Sequence, residues 1–487
     1  MRSPKKSAPP KPNKTLDGGV KKARRDRRAK KEEELKPVSH PSHGTVRFHA
    51  ASRHILSLPF ITTPPHPITL IPPFIPPPPL SLQTPGQLFV FGDGDCGQLG
   101  LGEDVTERLR PFPIDVAGQR TLQVACGGMH TVVLTEDRSV YSWGVNDEGA
   151  LGRETTGELW EKSEQGTGTP GDAYTPGKVI FPTHTPSIVQ LSAGDSHTVA
   201  LAQDGSVYAW GTYRDSSGVM GFSPSTRIQL TPTCVYKPSR AEDQVLRVAS
   251  GADHTAAVLA SGGLLTWGNG QTGQLGRIGE RVSERVKADT LLHPHPVPFK
   301  SRKSVKIVDV NCGTYATFAL TATNEVYTWG LNNYGQLALE GLEPVYKPTE
   351  VVALRGVEVE AVKSGQHHTL VLTKQGKLLS FGRPTYGRLG QKSADVGADA
   401  ACPDVKGVDG LDGVQVLGAA AGLAVSGCFD KEGKAYMWGF GTSNQLGKGD
   451  DDEDEVVPRR LAETKKFTGV KVTQLEIGGQ HVALLGV

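Results

Sequence analysis

The stretch Val207-Tyr208-Ala209-Trp210-Gly211 is a short apolar run that ends in an aromatic residue and a glycine. Stretches of the same form occur at six other places in the 487-residue chain. The glycines that end the seven stretches, spaced 52 to 67 residues apart, are Gly92, Gly144, Gly211, Gly268, Gly330, Gly382 and Gly439. Self-similarity at such a period indicates one supersecondary unit repeated along the chain.

Each aromatic-Gly pair has turn signals on both sides. A turn of the form Gly-x-x-x-x-Gly-Gln-Leu-Gly follows it, clearest at 92–100 and 268–276, and a Gly-x-x-His-Thr strand and a hairpin turn such as Asp204-Gly205 precede it in most copies. Short apolar runs joined by glycine-containing turns are typical of antiparallel strands, and about four of them fit into one repeat. Seven such units stacked radially form a closed ring. The predicted fold is therefore all-β, a single seven-bladed β-propeller over residues 86–487.

The two ends of the repeat array are complementary. The last copy stops at Gly478-Gly479-Gln480-His481 and the apolar run after it, without an aromatic-Gly strand of its own. The first copy begins with such a strand. We therefore predict that Leu88–Gly92 completes the final blade, so that the N- and C-terminal strands pair and close the ring.

The composition agrees with a turn-rich fold and excludes several classes of protein. Glycine accounts for 59 of the 487 residues, well above the usual ~7%, which argues against a helical bundle or coiled coil. The six cysteines are too widely spaced for any Cys-x-x-Cys pair. Neither a disulfide scaffold nor a zinc cluster is indicated, and we expect no cofactor or metal bound by the chain itself.

The net charge of +2 conceals a strong asymmetry, because residues 1–31 hold 13 Lys and Arg against Asp17 and Asp26, a local charge of +11. The remaining residues therefore sum to −9. We expect residues 1–45 to form a disordered basic tail, either merely solvated, or a nuclear-import signal read by importin, or an arm that neutralises DNA phosphates. The basic residues concerned are Lys21, Lys22, Arg24, Arg25, Arg27, Arg28, Lys30 and Lys31.

Residues 46–85 are rich in Ile, Leu, Phe, Ser and Pro, with ten prolines between Pro59 and Pro79. A transmembrane helix is excluded, because prolines at that density break a helix and leave backbone groups unsatisfied in lipid. One interpretation is a disordered, polyproline-like linker. The other is a translated retained intron that starts near Gly44-Thr45, since these residue types are largely encoded by pyrimidine-rich codons.

Two glycine-rich turns, at 92–97 and 268–273, match the dinucleotide-binding pattern Gly-x-Gly-x-x-Gly. Neither opens a helix within a βαβ unit, which that mechanism requires, so both are interpreted as blade turns. The histidine of the Gly-x-x-His motif recurs at the same position of several repeats, which favours a structural hydrogen-bonding role. The alternative is that these histidines line one face of the ring near its axis. No Ser-His-Asp or Cys-His arrangement is evident.

Several stretches resemble the repeats of the regulator of chromosome condensation family. They are Gly128-Met129-His130-Thr131, Asn146-Asp147-Glu148-Gly149-Ala150-Leu151-Gly152-Arg153, Ser192-Ala193-Gly194-Asp195-Ser196-His197-Thr198 and Ser364-Gly365-Gln366-His367-His368-Thr369. The basic tail followed by Val38-Ser39-His40 and Ser42-His43 resembles the same family.

The resemblance implies a chromatin-bound guanine-nucleotide exchange factor for the small GTPase Ran, located in the nucleus. Such a protein stabilises the nucleotide-free GTPase without covalent chemistry and supports nucleocytoplasmic transport and spindle and nuclear-envelope assembly. The implied partners are Ran, histones or the nucleosome, DNA and importin, with no membrane, and Mg²⁺ and GDP or GTP belong to the GTPase. The alternatives are a non-catalytic propeller scaffold of the same family and a propeller enzyme such as a lyase.

The resemblance also implies a set of residues for GTPase contact and exchange: Asp95, Asp147, Asp195, Arg214, His368 and His481. Asp195 ranks first, because it is charged where other copies carry Gly128, Ala252, Thr314 and Gln366. The alternative for each aspartate is a turn cap or an ion pair between blades.

The longest spacing in the array lies between Gly144 and Gly211 and contains a polar insertion from Glu154 to Tyr174. Its Trp160 is the one tryptophan outside the aromatic-Gly pairs. By resemblance this insertion is the wedge that the exchange factor presses against its GTPase, with Glu154, Glu158 and Trp160 as contacts; the alternative is a flexible insertion. The loop from Gly221 to Thr231, with Arg227, is the nearest match to the family's histone-binding loop.

Overall fold

In the computed structural model, the described residues are 84–155, 172–280, 288–299, 305–392, 400–449 and 451–487. The predicted basic tail and the proline-rich stretch lie outside these ranges. No helix within them is long and apolar enough to cross a bilayer.

The strands of the described ranges form seven four-stranded antiparallel sheets, which are the blades of a β-propeller. The chain starts with β1 (Gln87–Asp93) and β2 (Glu107–Ile114). Blade 1 contains β3 (Thr121–Cys126), β4 (His130–Thr135), β5 (Val140–Gly144) and β6 (Gly177–Val179). Blade 2 contains β7 (Ile188–Ala193), β8 (His197–Ala202) and β9 (Val207–Gly211), then a separate ribbon of β10 (Tyr213–Asp215) and β11 (Gly218–Gly221), and finally β12 (Gln229–Tyr236).

The remaining blades follow in chain order. Blade 3 contains β13 (Val245–Ser250), β14 (His254–Leu259), β15 (Leu264–Gly268) and β16 (His295–Pro296), and blade 4 contains β17 (Ile307–Cys312), β18 (Ala316–Thr321), β19 (Val326–Gly330) and β20 (Val345–Glu350). Blade 5 contains β21 (Val359–Ser364), β22 (His368–Thr373), β23 (Leu378–Gly382) and β24 (Cys402–Gly407). Blade 6 contains β25 (Val416–Ala421), β26 (Val425–Asp430), β27 (Ala435–Gly439) and β28 (Glu455–Arg460), and β29 (Val472–Ile477) and β30 (His481–Gly486) end the chain.

Helical structure in the described ranges is limited to short segments. One is an α-helix, α1 (Ala288–Leu292), and the others are 3₁₀ turns at Ala241–Asp243, Val352–Leu354 and Thr385–Gly387.

The two middle strands of a blade are buried on both faces. All six residues of β8 and all five of β9 are buried. A strand stacked between two neighbouring blades has no solvent side, so it is a continuous apolar run and not an alternating one. The five tryptophans of the aromatic-Gly pairs are at most 1% exposed and fill the space between blades.

The ring closes as the sequence predicts. Strand β1 pairs with β30 in register from Gln87 opposite Gly486 to Gly92 opposite His481, in a sheet ordered β2-β1-β30-β29. Gly92 has φ +107°, and a Cβ there would lie 2.6 Å from the carbonyl oxygen of Gln480. Blade 7 therefore contains both ends of the propeller, and the glycine of the aromatic-Gly pair is required by the close approach of the next loop.

The ribbon of β10 and β11 is not predicted by the repeat pattern. It is a two-stranded sheet outside the blades, inserted between β9 and β12. The structure therefore shows a projecting hairpin at Tyr213–Gly221, whereas the predicted wedge, Glu154 to Tyr174, falls mostly on residues outside the described ranges.

Candidate partner-binding face

The innermost strands of the blades surround a central cavity of about 1200 Å³. The Gly-x-x-His loops that follow these strands line one end of the cavity. Backbone hydrogen bonds join them to the turns after the aromatic-Gly pairs, as from Val145 N–H to the Met129 carbonyl at 2.9 Å. We call these loops and turns together the site face.

Four charged residues from neighbouring blades meet on the site face. Arg214 of the ribbon forms an ion pair with Glu148 in the turn of blade 1. The backbone N–H of Arg214 donates a 2.8 Å hydrogen bond to Asp253 Oδ1 of blade 3. Asp195 of blade 2 interacts electrostatically with all three. The cluster holds three carboxyl groups and one guanidinium, an arrangement suited to a basic surface on a partner.

Asp195 is fixed by its backbone, because its N–H donates a 2.9 Å hydrogen bond to the carbonyl of Ala252 in the next blade. The side chain is exposed at the mouth of the cavity. Protein nevertheless surrounds the carboxyl group, and this desolvation raises its pKa to about 6, with Arg214 opposing the rise and Glu148 adding to it. A solvent-accessible acid with a perturbed pKa beside a cavity is typical of a functional site.

Asp253 is a member of the cluster that the sequence analysis missed. It directly precedes the histidine of its Gly-x-x-His loop, where the other six loops carry Met129, Ser196, Tyr315, His367, Ala424 and Gln480. Burial and the charge of Asp195 raise the pKa of Asp253 to about 7, while the hydrogen bond from the Arg214 backbone lowers it. The same comparison of repeats that identified Asp195 would have found Asp253 at the next position.

The ribbon carrying Arg214 is held by several blades. Tyr213 is 1% exposed, and its ring centroid lies 4.5 Å from that of His197. Asn269 Nδ2 donates a 2.9 Å hydrogen bond to the Arg214 carbonyl, and Gln271 Oε1 accepts one from the Ser216 N–H at 3.1 Å. The ribbon thus stands at a fixed angle beside Asp195, with its tip exposed.

Asp95 and Asp147, also predicted for GTPase contact, are exposed residues of blade turns. Asp147 lines the cavity next to Glu148. Asp95 lies in the turn after β1, in blade 7, and is not among the residues lining the cavity. The structure places both in turns of the site face, one at the cavity and one farther out, and their role in exchange stays a prediction.

His368 and His481 lie inside the protein. Both side chains are 0% exposed. His368 Nε2 lies 2.8 Å from Ser426 Oγ of the next blade, and His481 Nε2 lies 2.8 Å from Thr131 Oγ1. A docked protein cannot touch either ring in this conformation. The structure favours the structural interpretation of these histidines, and a part in exchange stays a prediction.

The remaining copies show the same contact. His130 Nε2 lies 2.9 Å from Thr198 Oγ1, and the Thr198 hydroxyl donates a 2.9 Å hydrogen bond to the Ala150 carbonyl. The hydroxyl oxygen must therefore accept a hydrogen bond from the imidazole, which fixes the neutral tautomer with hydrogen on Nε2. Trp210 Nε1 donates to the same carbonyl at 2.8 Å. Burial lowers the pKa of His130 to about 4, so this link between blades is made by a neutral ring.

The other predicted contact residues are dispersed. Glu154 is half-buried at the start of the insertion, while Glu158 and Trp160 lie outside the described residues. Arg227 is exposed, and its carbonyl accepts a 2.7 Å hydrogen bond from Thr212 Oγ1, so its loop is fastened near the ribbon. The basic residues from Lys21 to Lys31 are also outside the described part. Within it, no group of three or more His, Cys, Asp and Glu is arranged to hold a metal ion.

A family model described as the RCC1-like domain matches residues 87–484. The chain belongs to this family. It is 39% identical over 411 residues to the regulator of chromosome condensation of Homo sapiens, covering 82% of this chain and 90% of the human protein. It is 34% identical to the guanine nucleotide exchange factor SRM1 of Saccharomyces cerevisiae, covering 79% of this chain and 84% of the yeast protein.

The fold is also similar to a solved structure of the family. Prp20p from Saccharomyces cerevisiae, whose crystal structure was described with its binding to Gsp1p and histones, superimposes with a TM-score of 0.71 at 32% identity. The match covers 84% of this chain and 93% of that one. The yeast protein has also been solved bound to Kap60. The resemblance found in the sequence is thereby confirmed at the level of family and fold.

Proposed function

We propose that this protein is a guanine-nucleotide exchange factor for Ran that acts on chromatin in the nucleus. The observation that carries the proposal is the cluster of Asp195, Asp253, Glu148 and Arg214 on the site face. Asp195 and Asp253 are charged at loop positions where the other copies carry no acidic residue, and Arg214 lies on a ribbon outside the repeat. Packing has reason to repeat, whereas contact with an asymmetric partner does not.

The activity requires no covalent chemistry. A small GTPase that holds its nucleotide with a dissociation constant near 1 pM loses about 16 kcal/mol on releasing it, so spontaneous release is slow. A protein that binds the nucleotide-free GTPase tightly lowers the affinity of the GTPase for nucleotide. Bound nucleotide lowers the affinity of the GTPase for that protein by the same factor. Mg²⁺ and nucleotide then belong to the GTPase, and the nucleotide that rebinds is the more abundant one.

The structure suits this mechanism because the docking elements are preformed. Asp195 and Asp253 sit on loops bonded to neighbouring blades, and the ribbon is fastened to blades 1 and 3. A rigid surface binds without an ordering cost, so more of its binding free energy is available to displace elements around the nucleotide. We assign the exposed tip of the ribbon, from Arg214 to Gly218, as the element that presses against the GTPase.

Two further observations support action on chromatin. The segment Lys21–Lys31 carries enough positive charge to neutralise nucleic-acid phosphates or to be read by importin. Yeast Prp20p, of the same fold, was described together with its binding to histones. In this protein the tail, and the exposed Arg227 loop beside the ribbon, are the elements proposed to reach DNA and histones.

The proposal is tested by release of labelled GDP from Ran in the presence of substoichiometric amounts of the full-length protein. Acceleration by the wild type is expected, together with a loss of about tenfold or more in kcat/KM for Asp195→Ala and Asp253→Ala. Asp412→Ala is the matched control, because Asp412 is an exposed aspartate on the loop between β24 of blade 5 and β25 of blade 6. Binding to Ran without any acceleration would support the non-catalytic scaffold instead.

A further inference from the structure

Neighbouring blades are joined near the axis by two repeated kinds of hydrogen bond. The first is the link described above, in which a histidine of one blade donates to a hydroxyl of the next. That hydroxyl and a tryptophan indole both donate to a carbonyl of the first blade. The second is an amide clamp, in which a glutamine of one innermost strand bonds both backbone groups of a residue in the next. Gln123 Nε2 donates to the Leu191 carbonyl at 2.9 Å, and Gln123 Oε1 accepts from the Leu191 N–H at 2.8 Å.

The same clamp recurs at two other junctions between blades. Gln190 clamps Val248 across the junction of blades 2 and 3, with bonds of 2.9 and 3.1 Å. Gln474 clamps Val124 across the junction of blades 7 and 1, with bonds of 2.7 and 3.2 Å. The two ends of the propeller thus meet in blade 7, which is joined to blade 1 by both kinds of hydrogen bond.

The junction between blades 6 and 7 has none of these links. The histidine position is Val425, the hydroxyl position is Val482 and the indole position is Phe91. The clamp position is Gly418. Other junctions lack some of the links but keep at least one. Blade 5 has Ala361 at its clamp position but retains His368 and its bond to Ser426. Between blades 4 and 5 the histidine, indole and clamp positions are Ala316, Phe381 and Asp309, and the bond of Thr369 Oγ1 to the Gln336 carbonyl remains, at 2.9 Å.

The Gln445 side chain spans the axial part of this junction by hydrogen bonding. Gln445 Nε2 donates to the carbonyls of Gly478 and His481, at 3.1 Å each. In another turn the equivalent glutamine serves its own blade: Gln274 Oε1 accepts from Thr272 N–H at 3.0 Å. We call Gln445 the latch, because it replaces the links that the sequence omits. Farther out, Asn444 bonds Glu107 at 3.0 Å.

We propose that the junction of blades 6 and 7 is a conformational seam, held near the axis by the Gln445 latch, at which the ring opens locally while the other junctions stay closed. The seam lies away from the junctions of blades 1, 2 and 3, which carry Asp195, Asp253 and Arg214 and which hold two of the three amide clamps. Local opening of the ring is thereby kept away from the candidate site. The inference depends on hydrogen bonds within the ring and stands whether or not the proposed exchange activity is found.

Labelling of a thiol at the seam in the native full-length protein tests the proposal. Leu484 is 0% exposed and, by strand alternation, faces blade 6, because Ala483 and Leu485 pack in the cluster with Trp143 of blade 1. The native Cys428 occupies the same repeat position in blade 6, is 0% exposed and packs against Leu370 of blade 5. In Leu484→Cys, the two thiols therefore report opposite sides of blade 6 within one molecule.

The expected result is that the thiol introduced at position 484 is labelled at least threefold faster than Cys428 by peptide-resolved mass spectrometry. Global unfolding exposes both thiols equally, so a smaller ratio overturns the proposal. Val133→Cys, a similar truncation facing the fully linked junction of blades 7 and 1, is expected to show no such excess over Cys428. An equal excess there would mean that truncation alone loosens a junction, and would also overturn the proposal.

Two further variants keep the test decisive if Leu484→Cys is destabilised. Adding Gln445→Leu to Leu484→Cys should raise the labelling rate at position 484 at least threefold, while adding Gln274→Leu should leave it unchanged. Adding Val425→His with Val482→Thr, which rebuilds the repeated link, should lower it. Equal effects of the two glutamine variants, or no slowing by the rebuilt link, contradict the latch and the seam.

Discussion

Acidification from pH 7 to pH 5 should weaken the propeller through the histidines that join its blades. His254 is 0% exposed, and burial lowers its pKa to about 3, against 6.5 for an ordinary histidine. Between those values the unfolded chain binds a proton that the folded chain excludes, so the free energy of unfolding falls as the pH drops below 6.5. A span of about 1.5 pH units at 1.36 kcal/mol per unit gives roughly 2 kcal/mol for each such histidine.

The same direction applies to the other buried rings. Burial lowers the pKa of His197 and of His481 to about 3. Asp195 and Asp253 act in the opposite direction, because their raised pKa values make the folded chain bind protons more readily than the unfolded chain as the pH falls through 7 and 6. The change in the free energy of unfolding of the wild type with pH is therefore the difference between the histidine and aspartate contributions. A variant that lacks one histidine isolates the contribution of that residue.

The assay is urea unfolding of the full-length protein at pH 7 and pH 5, for the wild type and for His254→Ala. The position tolerates alanine sterically, since Ala316 occupies it in blade 4. The variant should be less stable at pH 7, having lost the bond of His254 Nε2 to Thr317 Oγ1 at 2.9 Å. Its loss of stability between the two pH values should be about 2 kcal/mol smaller than that of the wild type.

His184→Ala is the matched control, because His184 is an exposed residue of the loop between β6 and β7. It should leave the pH dependence unchanged. A His254→Ala variant with the wild-type pH dependence would show that the proton uptake on unfolding comes from groups other than His254.

Three other perturbations follow from the same structure. Gly92→Ala should destabilise the protein by at least about 2 kcal/mol more than Gly413→Ala, because both glycines have positive φ but a Cβ meets other atoms only at Gly92; equal losses in urea unfolding would contradict this. Gln123→Leu should cost about 1–3 kcal/mol, since both backbone groups of Leu191 lose their bonds to the side chain, and a variant as stable as the wild type would contradict the clamp. Deleting residues 1–31 should weaken DNA binding and reduce the slope of log K against log salt, and an unchanged slope would show that the tail makes no phosphate contacts.

The fold was predictable from the sequence because its signals are local and repeated. A strand ending in an aromatic-Gly pair, with glycine turns on both sides, is determined within one repeat, and seven copies fix the number of blades. Closure was predictable because the last copy lacks an aromatic-Gly strand, and the first copy begins with such a strand but lacks the strands that should precede it. The ribbon at Tyr213–Gly221 was not, because it interrupts the repeat with short strands held by side chains of other blades, such as Asn269 and Gln271.

The site was only partly predictable, for a physical reason. The charge of Asp195 breaks the repeat pattern at one loop position and is visible in the sequence. Asp253 joins the cluster through a hydrogen bond from the backbone N–H of Arg214, a contact between distant residues that the sequence does not show. The repetition of the histidines indicated their hydrogen-bonding role, but their complete burial needed coordinates. The ion pair of Arg214 with Glu148 joins residues far apart in sequence, and no spacing rule along the chain connects them.

In the proposed function, this protein binds nucleotide-free Ran at the expense of nucleotide. The direct measurement is to form the complex with Ran stripped of nucleotide, isolate it, and follow its dissociation as GDP or GTP with Mg²⁺ is added. We expect a stable complex that either nucleotide dissociates in a concentration-dependent manner, with Asp195→Ala weakening the nucleotide-free complex more than the loaded one. A complex whose stability is the same with and without nucleotide would contradict it.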